Sequence, residues 1–265
     1  MILYFRQLQS IVEYFLLKLN FSISYKNIFK NKKETIFIFG SGPSLNELTD
    51  LEIIGINKTG SVMGFNDVFK FNKIKFDYYM IREFFELKYF FKNSPWKYVF
   101  SSIYNKDNNK RALSFIEKVD SSCKLIFHID KFSGSVILAF KKLKYNFKDF
   151  IFYKNPIDRK RILPFSNELD NISHANCSLA DTIQIASILG YKKIVLVGVD
   201  LGTLGHFYGQ ELIKSEHKTL PWILNALQQW AKDIKKKNIE IEIYNSKSLL
   251  NNILKTYDKK NLRYN

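Results

Sequence analysis

Gly40-Ser41-Gly42-Pro43-Ser44 follows directly on the apolar run Ile36-Phe37-Ile38-Phe39. Glycines there allow a sharp turn and a close approach of backbone to a ligand. Pro43 suits the first turn of a helix, with Ser41 or Gly42 in the cap region. N–H groups at such a helix start attract a phosphate. A plain strand-to-helix turn has the same appearance, because the full dinucleotide fingerprint is absent. His217 stands at the expected start of a long helix, behind the segment Gly205 to Glu216. An imidazole on such a boundary can take a proton from a hydroxyl, or it serves only as a capping or surface residue. His206, with Tyr208 two positions on, is a second imidazole of interest, and His128 and His174 are weaker ones. Asp200 closes the run Lys193 to Asp200 and has no Asp-x-Asp partner. The preferred expectation is that its carboxylate orients loop backbone rather than a metal ion. Arg159-Lys160-Arg161 attracts an anion or is a solvated charge cluster. Trp222 and Trp230 fit core packing, although Trp222 could stack on a sugar.

These residues need strands and helices to place them. The pattern predicts strands over Ile36–Phe39, Glu52–Asn57, Phe76–Ile81, Trp96–Ser101, Lys124–Ile129, Lys193–Asp200 and Ile239–Tyr244. The run at Lys193 is apolar on both faces, as a central parallel strand is. Helical patterns cover Gly134–Lys144, Ser178–Leu189 with Gly190 as its C-cap, and His217–Lys237. Residues 145–175 look irregular and are expected to form a lid or insertion over the site. Alternating strands and helices predict a single α/β domain with an open, mostly parallel, Rossmann-like sheet. Ligands of such sheets lie beyond the carboxyl ends of the strands. The residues expected there are Gly40 to Ser44, Asn57, Arg82-Glu83, Gly198 to Gly202 and Asn245 to Ser248. They form a small, polar, glycine-rich set that suits a nucleotide or sugar nucleotide.

Composition narrows the partners. A formal net charge of +16 points to an anionic partner. The charge is scattered and no nucleic-acid motif accompanies it, so no specific nucleic acid is expected. Cys123 and Cys177, the two cysteines, give neither a disulfide framework nor a metal cluster. No apolar run is long enough to span a membrane. Tyr4, Phe5, Leu8, Ile11, Val12, Phe15, Leu16 and Leu19 share one helical stripe. That helix packs on the domain or lies in a membrane interface, where Lys26, Lys30, Lys32 and Lys33 would assist it. The organisation expected is an amphipathic helix and basic linker over 1–33, the main domain over 34–252, and a basic tail over 253–265.

The order of Gly-Ser-Gly-Pro-Ser-Leu, the Asn57 strand end, Ser178, Leu-Gly-Tyr-Lys-Lys-Ile-Val-Leu-Val-Gly-Val-Asp, a histidine before a long helix, and Ser-Leu-Leu resembles the bacterial sialyltransferases of glycosyltransferase family 42. It is also similar to the glycosyltransferase domain of flagellin-modifying motility accessory factors. The resemblance spans roughly residues 34–252. It implies a Rossmann-like, GT-A-like fold with a lid. It further implies an inverting transfer of an acidic sugar from a CMP-activated donor, without a metal cofactor. By the same resemblance His217 is the general base and Tyr208 a contact of the leaving phosphate. Ser41 stands where the family has an asparagine in the glycine turn, and Asn57 and Ser178 match donor-binding positions. Ser248 belongs to the segment that closes the site.

The chain departs from the family pattern at Gly202, where a tyrosine is expected, and His206 is a substitute. It departs again at Arg82, where an asparagine is expected, and near Ala175, where an arginine is expected, with His174 beside it. An arginine at 82 can pair with a phosphate or a sugar carboxylate. The expected acceptor is a glycan or glycolipid of the cell surface, reached from the inner face of the cytoplasmic membrane. A homo-oligomer remains open. The alternatives are a flagellin-type protein glycosyltransferase and a non-catalytic, nucleotide-binding membrane scaffold.

Overall fold

The computed structural model describes residues 33–81, 114, 118–120, 122–128, 150–155, 162–201, 206–209, 220–245 and 247–264. Among the described residues eight strands form one sheet in the order β5-β4-β3-β2-β1-β6-β7-β8. They are β1 (Thr35–Phe39), β2 (Ser61–Phe65), β3 (Tyr78–Ile81), β4 (Lys124–His128), β5 (Phe150–Tyr153), β6 (Lys193–Val197), β7 (Glu240–Ile243) and β8 (Lys255–Thr256). Every pairing is parallel. The chain adds β2 to β5 outward on one side of β1, then returns to lay β6 on the other. That reversal between β1 and β6 is a topological switch point, where loops leave neighbouring strands in opposite directions and open a crevice.

Residues Ile36 to Phe39 of β1 and Ile194 to Val197 of β6 are fully buried, which is why their sequence runs are continuously apolar. Alternation along β1 sends Phe37 and Phe39 into one core layer and Ile36 and Ile38 into the other. The second layer is covered by helices α2 (Ser178–Ile188) and α3 (Leu220–Lys236). α2 ends as its sequence predicts. Gly190, at φ 90, donates to Ser187 O, and Tyr191 donates to Ala186 O, the paired bonds of a Schellman cap. Trp230 of α3 is fully buried and its Nε1–H donates to Leu163 O at 2.8 Å, which bears out the core role of that residue; Trp222 is half-buried.

Three expectations change. The expected strand Glu52–Asn57 is instead inside helix α1 (Asp50–Thr59). Its isoleucines suit a strand, but Thr49 and Glu52 form a capping box: Glu52 N–H donates to Thr49 Oγ1 at 3.2 Å, and Thr49 N–H donates to Glu52 Oε2 at 2.9 Å. The second strand starts later, at Ser61. Within the 145–175 stretch, Phe150–Tyr153 is strand β5, and Phe165, Leu169 and Ile172 enter the second core layer. Two of its backbone donors are satisfied by α2, since the Ser166 and Ser173 N–H groups both donate to Gln184 Oε1. Finally, residues 253–264 are no free tail. They supply β8, and Tyr257 and Leu262 are buried in the first core layer. The expected N-terminal helix, the strand at Trp96–Ser101, the helix at Gly134–Lys144 and the cluster Arg159-Lys160-Arg161 lie outside the described residues.

Candidate active site at the switch point

Two loops meet beyond β1 and β6. After β1 the chain passes through Gly40 to Gly42 into a 3-10 turn, Pro43–Glu47, with Pro43 at its first position. After β6 it turns at Gly198, whose φ of +63° is a left-handed conformation. A Cβ on Gly198 would meet Leu45 Cδ2 at 2.5 Å, and one on Gly42 would meet Asp200 Oδ2 at 2.4 Å and Gly198 O at 2.7 Å. The glycines are therefore required by the crossing of the two loops, whatever binds beside them.

Hydrogen bonds consume most of the turn's donors. Gly40 N–H donates to Val197 O at 2.8 Å and Gly42 N–H to Gly198 O at 2.7 Å. Leu45 N–H returns to Gly42 O at 3.2 Å. Asp200 accepts both from Ser44 N–H at 2.8 Å and from the Ser44 hydroxyl at 2.5 Å. Both residues are buried. Asp200 thus holds loop backbone, as the sequence suggested. The picture of a helix start offering a row of open N–H groups is corrected. Within the turn, Ser41 alone keeps an N–H with no acceptor among the described residues.

Ser248 lies against the same crossing. Its hydroxyl donates to Val199 O at 2.6 Å and accepts from Leu250 N–H at 3.2 Å, while Leu249 N–H donates to Asp200 O. It is buried and ties the segment after β7 to the β6 loop. Ser178 opens α2 and is half-buried.

Asn57 is not brought to the site. It sits near the far end of α1, its Nδ2 donating to Ile53 O and its carbonyl accepting from Lys33 Nζ. Helix α1 runs back from the glycine turn to the start of β2, which carries Asn57 to the amino ends of the strands, away from the loop crossing. The asparagine that does end the second strand is Asn66, exposed and left-handed at φ 55. The sequence cue was present in Gly64-Phe65-Asn66-Asp67, an apolar run broken by two residues that favour left-handed turns. Arg82, Gly202 and His217 lie outside the described residues.

A strap, residues 206–209, crosses the glycine turn. Phe207 pins it: its N–H donates to Ser41 O at 3.1 Å, its carbonyl accepts from Asn46 Nδ2 at 3.0 Å, and its ring meets Phe71 edge-on at 5.6 Å. His206 Nδ1 lies 3.0 Å from Ser41 Oγ. The His206 and Tyr208 rings stack at 5.0 Å and 13°. The Tyr208 hydroxyl donates to Asp67 Oδ2 at 3.3 Å, and Lys70 Nζ stands 4.0 Å over the tyrosine ring and 3.1 Å from Asp67 Oδ2. The fold therefore gathers Ser41, Asn66, Asp67, Lys70, His206 and Tyr208 from three separate segments. Lys70 and Asp67 are additions to the expected set; Asp67 belongs to the strand-end cue at Asn66-Asp67, and nothing in the sequence around Lys70 marks it.

Beside α2, Asp181 is fully buried. It accepts from the Tyr153 hydroxyl at 3.1 Å and Asn155 Nδ2 at 3.3 Å, and faces His174 Nδ1 at 3.1 Å. This network fastens β5 to the first turn of α2 and so fixes where Ser178 stands. Among the described residues no group of three or more His, Cys, Asp or Glu side chains could hold a metal ion, and no helix is long and apolar enough to cross a membrane.

A point variant of the sialyltransferase Cst-II, solved in complex with CMP, matches this chain with a TM-score of 0.50 at 14% identity, covering 86% of this chain and 88% of that one. The chain has the fold of that sialyltransferase. CstII from Campylobacter jejuni with the substrate analogue CMP-3FNeuAc matches at 16% identity and a TM-score of 0.49, over 86% and 88% of the two chains. No family model matches the chain, and no curated protein sequence does. The single open α/β sheet expected from the strand pattern is thus present, with the resemblance to sialyltransferases carried by the fold.

Proposed function

We propose that the chain is an inverting, metal-independent glycosyltransferase that moves an acidic sugar from a CMP-activated donor to a bacterial surface glycan. The supporting observation is the crossing of the β1 and β6 loops at the switch point of a sheet shared with a sialyltransferase solved with CMP. Sialic acid, Kdo and other nonulosonates are the donor sugars considered. The CMP phosphate would lie over Ser41 and the strap, with Ser178 and Asn66 lining the cleft and Arg82 pairing with the phosphate or the sugar carboxylate.

Transfer requires three things of the protein. His217 takes the proton of the acceptor hydroxyl as general base. Donors at the glycine turn and the strap stabilise the departing phosphate as the glycosidic bond breaks. Tyr208 does this by exchanging its present acceptor, the Asp67 carboxylate, for a phosphate oxygen. The remaining wall holds the oxocarbenium-like carbon in line with the acceptor. The basic balance and the apolar N-terminal stripe favour work at the anionic inner face of the cytoplasmic membrane.

Thermal stabilisation by CMP, CDP, UDP, GDP, ADP and NAD tests the donor assignment. A shift with CMP alone supports it, and a shift with UDP or GDP instead removes it. His217→Ala is expected to retain the CMP shift and lose transfer from a CMP-sugar by about 100-fold or more. Full transfer by that variant would remove His217 from the mechanism. Stabilisation by CMP without turnover on any acceptor would favour a nucleotide-binding scaffold, and a flagellin acceptor would favour the protein glycosyltransferase.

A further inference from the structure

His206 and Ser41 are 165 positions apart in the chain, yet their contact is specific. His206 Nδ1 lies 3.0 Å from Ser41 Oγ and 3.3 Å from Ser41 O. A carbonyl oxygen can only accept, so the ring nitrogen beside it carries hydrogen. The carbonyl contact assigns the hydrogen to Nδ1, which leaves the Ser41 hydroxyl with its own hydrogen to donate. Nε2, the other ring nitrogen, has no hydrogen-bond partner among the described residues. The ring plane is held by the Tyr208 stack, and the strap by Phe207. The other backbone donors of the turn are committed, so among the described residues the Ser41 N–H, the Ser41 hydroxyl and His206 Nε2 are the polar groups it has left for a ligand.

We propose that His206 is a phosphate-contacting residue of this site. Nδ1–H stays on Ser41, and Nε2 takes up a proton from solvent as an anionic phosphate settles on the turn, then donates a charge-assisted hydrogen bond to it. The proposal rests on the site being that of a CMP-sugar transferase. In the transfer step the acceptor oxygen forms its bond to the sugar carbon as the carbon–oxygen bond to phosphate breaks, and the electron pair of the broken bond remains on the phosphate oxygen, facing the imidazolium. The acceptor proton goes to a different base. Among the described residues, the charged and titratable groups around His206 are Tyr208 on the strap, Asp67 and Lys70 behind it, and Asp200 across the turn. Asp67 is paired with Lys70, and Asp200 is taken up by Ser44.

Calorimetry of CMP binding in two buffers of different ionisation enthalpy tests this directly. Wild-type protein is expected to take up protons on binding. His206→Asn, whose amide can still reach Ser41 but has nothing at the Nε2 position, should bind CMP about 10- to 100-fold more weakly and without that uptake. His206→Gln, which places an amide near the Nε2 position, should keep part of the affinity and also lose the uptake. A His206→Asn protein with wild-type affinity and wild-type proton uptake overturns the proposal alone. Wild-type protein that binds no CMP removes the donor assignment and the proposal together.

Discussion

Replacing Asp200 by alanine strands two buried donors, the Ser44 N–H and the Ser44 hydroxyl, which reach the carboxylate at 2.8 and 2.5 Å. Ser44 is 3% exposed and Asp200 7%, so water cannot readily replace the lost acceptor. An unsatisfied buried donor costs about 1–3 kcal/mol, and hydrogen bonds to charged groups sit at the upper end. The expected loss is about 3–5 kcal/mol. For a chain of this size that lowers the unfolding midpoint by about 6–20 °C. Asp200→Asn retains one acceptor oxygen and an amine the hydroxyl can accept from, so it should cost less. Ser44→Ala removes only the hydroxyl, and the double variant with Asp200→Ala should fall short of the sum of the singles, because the pair shares one interaction. Circular dichroism on heating and urea midpoints for all four proteins provide the cycle. An Asp200→Ala protein within about 0.5 kcal/mol of wild type would refute the scaffold role, since surface positions commonly behave so. Unchanged stability with lost transfer would mean instead that Asp200 serves the ligand.

Gly42→Ala should destabilise by about 1–3 kcal/mol through overpacking against Asp200 and Gly198 O, and abolish stabilisation by CMP; a variant as stable as wild type would refute the tight loop crossing. Burial raises the Glu52 carboxyl, but hydrogen bonds from Lys259, the Thr49 N–H, Tyr244 and the Thr49 hydroxyl outweigh it and leave the group below its ordinary value. A lowered folded value means stability that is present above the ordinary glutamate range and is lost as pH falls through the folded value. Unfolding midpoints between neutral pH and about pH 3 should therefore fall less steeply in Glu52→Gln than in wild type, and parallel curves would show that the group contributes nothing.

Much of the site's frame was legible because its cause is local. β1 and β6 are buried on both faces, and such strands must be continuously apolar. The glycines at 40, 42 and 198 mark where those strands end, and α2 carries its own stop at Gly190. Helix α1 has the look of a strand in sequence although its capping box is written in Thr49 and Glu52. Ile53-Ile54-Gly55-Ile56 has the content of a strand, and Gly55 gains its reason only from Tyr264 and Leu262, which lie where its Cβ would be. Asn57 therefore belongs to the helix, and Asn66 stands at the end of β2. The two-residue strand β8 is too short to show a period, and only pairing with β7 defines it.

Local pattern thus settled the strand ends, the turn chemistry and the general character of the ligand crevice. It could not decide which polar groups remain available there. The glycine turn looks like an open phosphate cradle in sequence, yet the β6 loop takes its N–H groups and Asp200 takes Ser44. The strap that returns His206 and Tyr208 to Ser41 joins segments far apart in the chain. Hydrogen-bond partners at such separations are chosen by packing, because no local spacing encodes which distant loop will satisfy a given donor.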